Sequence, residues 1–140
     1  MAGPVIARSE RGFRVDIDAG GHHLVADEPL DAGGSDQGPT PYDFLSAGLA
    51  ACTSMTLHLV AKRENIPLEG LEMKVMNDRT YAKDCADCAS AAGYIHRFTV
   101  EIRFIGNFTD AQRTRLQQVA GRCPVAKTLT SEIKIEEAFV

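Results

Sequence analysis

A long apolar run rich in small residues occupies the middle of the chain and follows Thr40 and Pro41. Threonine suits a helix N-cap and proline suits the first helical position, so we predict that a helix begins there. Small residues such as Ala47 and Ala50 would let another backbone come close. The predicted helix is central, and it stops near Asn65-Ile66-Pro67. Apolar positions recur at helical spacing, as on one buried stripe: Phe44, Leu45, Gly48, Leu49, Cys52, Met55, Thr56 and Leu59.

Short segments of alternating hydrophobicity flank this helix on both sides. Three of them precede it and predict a β-meander, with Phe13, Val15 and Ile17 on one face. Two more follow it, at 71–76 and 98–104, and the polar stretch 83–93 between them suits a hairpin tip.

The last part of the chain predicts two shorter helices and a strand. Thr109 suits the cap of a second helix, and Cys123 with Pro124 suits the start of a third. A final strand is predicted over Ile133-Lys134-Ile135. The predicted order β-β-β-α-β-β-α-α-β indicates the α+β class rather than alternating parallel units.

Length and charge restrict the function further. A chain of 140 residues and 15.2 kDa has the size of one domain, so we expect a single domain over 1–140. The net charge of −4, without a cluster of Lys and Arg, argues against a nucleic-acid partner. Charged residues follow the N-terminus at once, which disfavours a signal peptide, and no stretch is expected to span a membrane. We therefore predict a cytoplasmic protein whose cysteines are thiols, metal ligands or catalytic groups.

Two cysteines lie in helical contexts that differ in their expected reactivity. Cys52 alone would read as a small buried hydrophobe, and to be reactive it would need a cation or hydrogen-bond donor nearby. Cys123, at a predicted helix N-terminus, would have its thiolate stabilised by backbone N–H groups. A thiol that turns over needs a second sulfur to capture its oxidised form, so the two together suggest a dithiol site.

The other two cysteines form the Cys85-x-x-Cys88 pair in the predicted hairpin tip. This spacing suits zinc or a disulfide switch, but the chain has no second Cys-x-x-Cys to complete a structural zinc site. Asp84, Asp87 and His96 are further donor candidates. A metal site, a surface disulfide switch and a passive loop all remain open for this pair.

Two segments carry a resemblance to a known family. The stretch 33–45, running into Ala50-Ala51-Cys52-Thr53, and the later Arg122-Cys123-Pro124-Val125 resemble the OsmC/Ohr family of osmotically induced and organic hydroperoxide resistance proteins. The resemblance covers nearly the whole chain. It implies an OsmC-like fold, with antiparallel sheets wrapped around long central helices in an intertwined homodimer and active sites at the subunit interface.

The resemblance also implies an activity. Cys52 would attack an organic hydroperoxide to give an alcohol and a sulfenic acid, Cys123 would resolve it as a disulfide, and a dithiol reductant would restore the thiols, without a cofactor. Arg11 is the best match to the family's activating arginine, with Arg8 and Arg14 as alternatives. Where peroxidatic members carry a glutamate this chain has Tyr42, so Asp43 becomes the candidate acidic orienter. The substrate pocket is expected to include Tyr42, Leu45, Leu49 and Met55.

Three functions follow from these features. The leading hypothesis is a thiol peroxidase of OsmC type in oxidative-stress defence. The second is a non-catalytic member of the family that senses redox state or binds a small apolar ligand, favoured by Tyr42 and by Cys85 and Cys88. The third is a zinc-stabilised structural module.

Overall fold

The structure, a computed structural model, describes residues 2–140, and these form two compact units, residues 2–45 and 46–140. The α+β class is confirmed, because three-stranded and two-stranded antiparallel sheets accompany one long and two shorter helices. That the whole chain acts as a single domain stays a prediction. The elements are, in order, β1 Val5–Ser9, β2 Val15–Ala19, β3 His22–Ala26, α1 Pro41–Arg63, β4 Gly70–Tyr81, β5 Tyr94–Ile105, α2 Asp110–Ala120 and α3 Pro124–Leu129.

The first unit is the predicted meander followed by a long loop. Strands β1, β2 and β3 pair antiparallel in sequence order. Phe13 lies in the turn before β2 and is exposed, so its predicted place on the strand face is wrong. The loop after β3 is organised by Asp27, whose side chain accepts backbone N–H groups of Glu28, Ser35 and Gln37 at 2.8, 3.3 and 3.2 Å. Asp27 is 2 % exposed, so these donors offset the cost of burying a carboxylate.

Helix α1 begins and ends where the sequence predicts. The Oγ1 of Thr40 accepts the N–H of Asp43 at 3.2 Å, and the Asp43 carboxylate accepts the N–H of Thr40 at 2.9 Å. This reciprocal pair satisfies two donors at the start of the helix. The helix ends at Arg63, and Asn65 follows with a positive φ of 54°.

The side of α1 that is buried agrees with the prediction only in part. The buried residues are Leu49, Thr53, Leu57 and Ala61, whereas Met55 is 71 % exposed. The predicted stripe is right in part, because Leu49 is buried and Phe44, Cys52 and Thr56 are half-buried. Its other members, Leu45, Gly48, Met55 and Leu59, are exposed. Apolar and small residues surround this helix, so their spacing fits more than one face.

Helix α1 also corrects the expectation that no segment could span a membrane. Over Pro41–Arg63 it is long and apolar enough to do so by length and composition. The core helix of a soluble protein meets the same criterion, and four residues of α1 are buried within this chain.

In the second unit, strands β4 and β5 form a hairpin of two 12-residue strands with Tyr81 opposite Tyr94 at its far end. The two tyrosine rings stack with centroids 4.9 Å apart. The predicted tip is confirmed, and both strands extend beyond the segments that alternate most clearly in the sequence.

Helices α2 and α3 close the second unit. Thr109 and Gln112 form a capping box at the start of α2, as the sequence predicts for Thr109. The core contains Leu57 and Ala61 of α1, Ile66 of the following loop, and Leu116 and Val119 of α2. Half-buried side chains of both hairpin strands pack against it, among them Leu71, Ile102 and Phe104.

The predicted last strand is not formed. Residues 132–140, all described, contain neither helix nor strand, and Ile133 and Ile135 are exposed. A strand needs a neighbour to satisfy its backbone donors and acceptors, and within residues 2–140 no edge pairs with this segment.

Candidate active site

The sulfurs of Cys52 and Cys123 meet in the second unit, although they are remote in the sequence. Cys52 lies half-buried in the middle of α1, and Cys123 is the N-cap residue of α3. Thr53, the residue after Cys52, donates its hydroxyl to the Cys123 sulfur at 3.4 Å, and the Cys52 thiol contributes to lowering the pKa of Cys123. Neither sulfur is in a disulfide, so the structure holds the two as a pair of adjacent thiols.

Cys123 has the more unusual surroundings of the two. It is 0 % exposed, and its sulfur accepts the N–H of Ala126 at 3.3 Å and the hydroxyl of Thr53 at 3.4 Å. Burial by itself raises the pKa of the Cys123 thiol. The donors Thr53, Ala126, Cys52 and Val125 outweigh burial, so the pKa of Cys123 lies below its ordinary value. These donors stabilise a thiolate at Cys123.

Thr53 is a site residue that the sequence did not single out. Its side chain is 2 % exposed and lies in the buried stripe of α1, directly after Cys52. The signal that could have found it is a hydroxyl at four-residue spacing from the apolar Leu49 and Leu57, on the face of α1 that is buried. A buried hydroxyl needs a partner, and here that partner is the Cys123 sulfur.

A mainly apolar cavity of about 440 Å³ lies beside the thiol pair. Thr53 and Ala126, which both donate to the Cys123 sulfur, are part of its wall. The remaining wall comes from α1, one face of β5, and the ends of α2 and α3. Those residues are Leu49, His96, Phe98, Val100, Ile102, Ala120, Gly121, Leu129 and Thr130. A volume of this size holds a small organic molecule.

Of the four residues predicted for the substrate pocket, Leu49 lines this cavity. Met55 belongs to the same unit but is largely exposed and does not line it. Tyr42 and Leu45 lie in the first turns of α1, in the first unit, and both are exposed.

The candidate arginines lie in the first unit around a cavity of about 430 Å³ at the β1–β2 turn. Arg8 pairs with Asp18 at 3.0 Å, and Arg14 pairs with Asp16 at 3.1 Å and also contacts Gln37. Among the described residues, Arg11 makes no such pair. Its guanidinium is therefore available, whereas those of the two alternatives are engaged.

The candidate orienter Asp43 has a local role in the helix cap described above. One of its carboxylate oxygens accepts the Thr40 N–H. The second oxygen of that carboxylate still has acceptor capacity, and the proposed orienting role of Asp43 stays a prediction.

Cys85 and Cys88 are joined in a disulfide at the hairpin tip, with their Cα atoms 5.5 Å apart. The sulfurs of both residues and a carboxylate oxygen of Asp87 lie within 4.8 Å of one another. These three groups are of the type that zinc prefers. They are available to a metal only after the disulfide is reduced, because a bonded sulfur is not a thiolate ligand.

Comparison with known proteins identifies a family and several similar structures. The family model described as OsmC-like protein matches residues 34–138. No curated protein matches the sequence. An OsmC-like protein of Mycoplasma pneumoniae has a similar structure, with a TM-score of 0.71, 20% identity, and coverage of 90% of this chain and 85% of that one.

Two solved structures named as organic hydroperoxide resistance proteins have the same fold. The protein of Legionella pneumophila has a TM-score of 0.65 at 22% identity and covers 91% of this chain and 88% of its own. The protein of Elizabethkingia anophelis has a TM-score of 0.65 at 20% identity and covers 93% and 89%. At these identities the structures show a shared fold, and the family model spans most of the sequence. The resemblance noted from the two cysteine segments is thus confirmed, and the chain belongs to the OsmC-like protein family.

Proposed function

We propose that the protein is a thiol peroxidase that reduces organic hydroperoxides through Cys52 and Cys123 in oxidative-stress defence. The observation that carries the proposal is the approach of the two cysteines: Thr53, the residue after Cys52, donates its hydroxyl to the Cys123 sulfur at 3.4 Å, and Cys52 is itself among the donors that lower the pKa of Cys123. Neighbouring sulfurs are what the reaction needs, because a sulfenic acid at one cysteine is resolved by the thiol of the other. The apolar cavity beside it suits the organic part of a hydroperoxide better than it suits hydrogen peroxide.

The reaction proceeds in two steps on these sulfurs. The Cys52 sulfur attacks the terminal oxygen of the hydroperoxide, the O–O bond breaks, and the leaving alkoxide takes a proton to become an alcohol. Cys52 is then a sulfenic acid. The Cys123 thiolate attacks the Cys52 sulfur and expels hydroxide, which is protonated to water, and a disulfide remains. A dithiol reductant returns two electrons and restores both thiols.

The roles of the two sulfurs follow from their surroundings. Cys52 is half-buried and is the more accessible of the two, whereas Cys123 is fully buried and its donors lower the pKa of its thiol. A neighbouring thiol with a lowered pKa shortens the time in which the Cys52 sulfenic acid is open to further oxidation. Arg11, with no ion pair of its own among the described residues, is the proposed activator of Cys52.

The test is turnover of cumene hydroperoxide with dithiothreitol as reductant. We expect turnover in the wild type, its loss in Cys52→Ser, and a loss of sustained turnover in Cys123→Ser, which lacks a resolving thiol. The double variant Cys85→Ser/Cys88→Ser is the matched control and should retain activity. A reduced wild type that consumes no organic hydroperoxide above the rate of the Cys52→Ser variant would overturn the proposal.

A homodimer is part of the proposal. Met55 and Leu59 on α1, and Ile133, Ile135 and Phe139 near the C-terminus, are exposed apolar side chains that a second copy would cover. Light scattering should give the mass of two chains, and Met55→Glu should shift it toward one. A wild type that is monomeric at micromolar concentration would contradict the dimer. Because turnover depends on reduced thiols, we also propose a cytoplasmic location.

A second candidate function is redox sensing, and the Cys85–Cys88 disulfide favours it. The reduced protein can be treated with one equivalent of hydroperoxide and mapped by peptide mass. Linkage of Cys52 to Cys123 within seconds supports the peroxidase, and oxidation confined to Cys85 and Cys88 supports a sensor. Metal analysis of the reduced protein, before and after a thiol reagent, tests the zinc module directly.

A further inference from the structure

The side-chain hydroxyl of Thr53 contacts one thiol of the pair, that of Cys123. It donates to the Cys123 sulfur at 3.4 Å, from a residue that is 2 % exposed to one that is 0 % exposed. The N–H of Ala126 reaches the same sulfur at 3.3 Å. The donors therefore converge on Cys123, and the pair is chemically unsymmetrical.

The two cysteines also differ in their exposure to solvent. Cys52 is half-buried and Cys123 is 0 % exposed, so Cys52 is the more accessible of the two to an incoming thiol. In thiol–disulfide exchange the attacked sulfur is the accessible one, and the sulfur that leaves most readily is the one whose thiolate is more stable. Both criteria assign attack to Cys52 and departure to Cys123.

We propose that Thr53 is a positioning residue that holds Cys123 as the resolving and leaving sulfur, so that the reducing thiol attacks Cys52. The inference rests on the proposed peroxidase reaction and specifies its reductive half. The thiolate of a dithiol reductant forms a bond to the Cys52 sulfur, and the Cys52–Cys123 bond breaks. The electron pair goes to the Cys123 sulfur, which leaves as a thiolate accepting the hydroxyl of Thr53 and the N–H of Ala126. The second thiol of the reductant then releases Cys52 as a thiol and becomes oxidised.

The direction of attack can be read by trapping the mixed disulfide. The Cys85→Ser/Cys88→Ser protein is oxidised with diamide to form the Cys52–Cys123 disulfide, exposed briefly to glutathione, and alkylated with N-ethylmaleimide. We expect glutathione on Cys52 and the alkyl group on Cys123 in the peptide masses. Glutathione on Cys123, or no disulfide between these cysteines after diamide, overturns the proposal.

The contribution of Thr53 is measured with Thr53→Val, which keeps the shape of the side chain and removes the hydroxyl, against Thr53→Ser, which keeps the hydroxyl. In a background with serine at positions 52, 85 and 88, thiolate absorbance reports the titration of Cys123 alone. Loss of a hydrogen bond to a charged group should raise the midpoint by about one pH unit in the valine variant. The serine variant should titrate close to the parent. Equal midpoints for valine and serine overturn the role of Thr53.

A kinetic readout completes the test with Cys52 restored. Reduction of the Cys52–Cys123 disulfide by dithiothreitol should slow several-fold in Thr53→Val and recover in Thr53→Ser, while the urea midpoints of the two remain similar. Because the disulfide is made with diamide, these results do not depend on peroxidase activity. A wild type in which the reductant attacks Cys52, but which consumes no hydroperoxide, would contradict the proposed function and still support this direction of attack.

Discussion

Truncation of Leu116 should weaken the packing that holds α2 against α1. Leu116 is 0 % exposed and belongs to the core cluster with Leu57, Ala61, Ile66 and Val119. Leu116→Ala removes three carbon atoms, and at about 0.8 kcal/mol for each buried CH₂ the lost transfer free energy is roughly 2.4 kcal/mol. The space left behind adds to this, so we expect a loss of about 3–4 kcal/mol in the free energy of unfolding.

The matched control is the next residue, Gln117, which is exposed on the same helix. Gln117→Ala should change the free energy of unfolding by no more than about 0.5 kcal/mol. Urea denaturation, with all variants at one protein concentration, measures both changes, and the fixed concentration matters if the protein is a dimer. The thermal midpoint of Leu116→Ala should fall by roughly 10–15 °C.

The result that would refute this reasoning is a Leu116→Ala protein within 1 kcal/mol of the wild type. The cluster around Leu116 would then not be a tightly packed core that holds α2 against α1. A large effect at Gln117 would contradict its exposure, and would instead place that position in a contact with a second copy.

Three further predictions concern local structure. Burial by itself raises the pKa of the Asp27 carboxyl, but its three backbone donors lower that pKa below the ordinary value. The ionised carboxylate therefore stabilises the fold above about pH 4, and this stabilisation is lost as the pH falls through the lowered pKa. The stability difference between wild type and Asp27→Asn, from urea melts, should therefore be largest near neutral pH and shrink below about pH 4, and a constant difference would contradict it. Gly34→Ala would drive a Cβ into the carbonyl oxygen of Glu28, so we expect a poorly folded protein on circular dichroism, whereas Gly121→Ala, with open space, should fold normally. Thr109→Ala removes the capping box of α2 and should cost about 1 kcal/mol in urea melts, and an unchanged midpoint would show that the cap contributes nothing.

The sequence predicted best those features that depend on near neighbours in the chain. Thr40, Thr109 and Cys123 were each expected to cap a helix, and each does, because a cap requires only a side-chain acceptor and an N–H two or three residues later. The hairpin strands were found for the same reason, since alternation along a strand is local.

The features that depend on distant partners were missed or misplaced. The sequence pattern places Leu49 correctly on the buried face of α1 but also places Met55 there, because apolar residues surround this helix and only the position of the core selects one side. Ile133 and Ile135 alternate like a strand, but pairing needs an edge that the described chain does not offer them. Thr53 was overlooked because its importance comes from Cys123, which follows 70 positions later.

The cap of α3 has a consequence for how the site can be dissected. The sulfur of Cys123 holds the first turn of that helix by accepting the Ala126 N–H, and serine is among the best residues for the same duty. Exchange of sulfur for oxygen at this position thus deletes the redox chemistry and keeps the helix start, whereas alanine deletes both. At Cys123 the thiol chemistry can therefore be removed without removing the cap of α3.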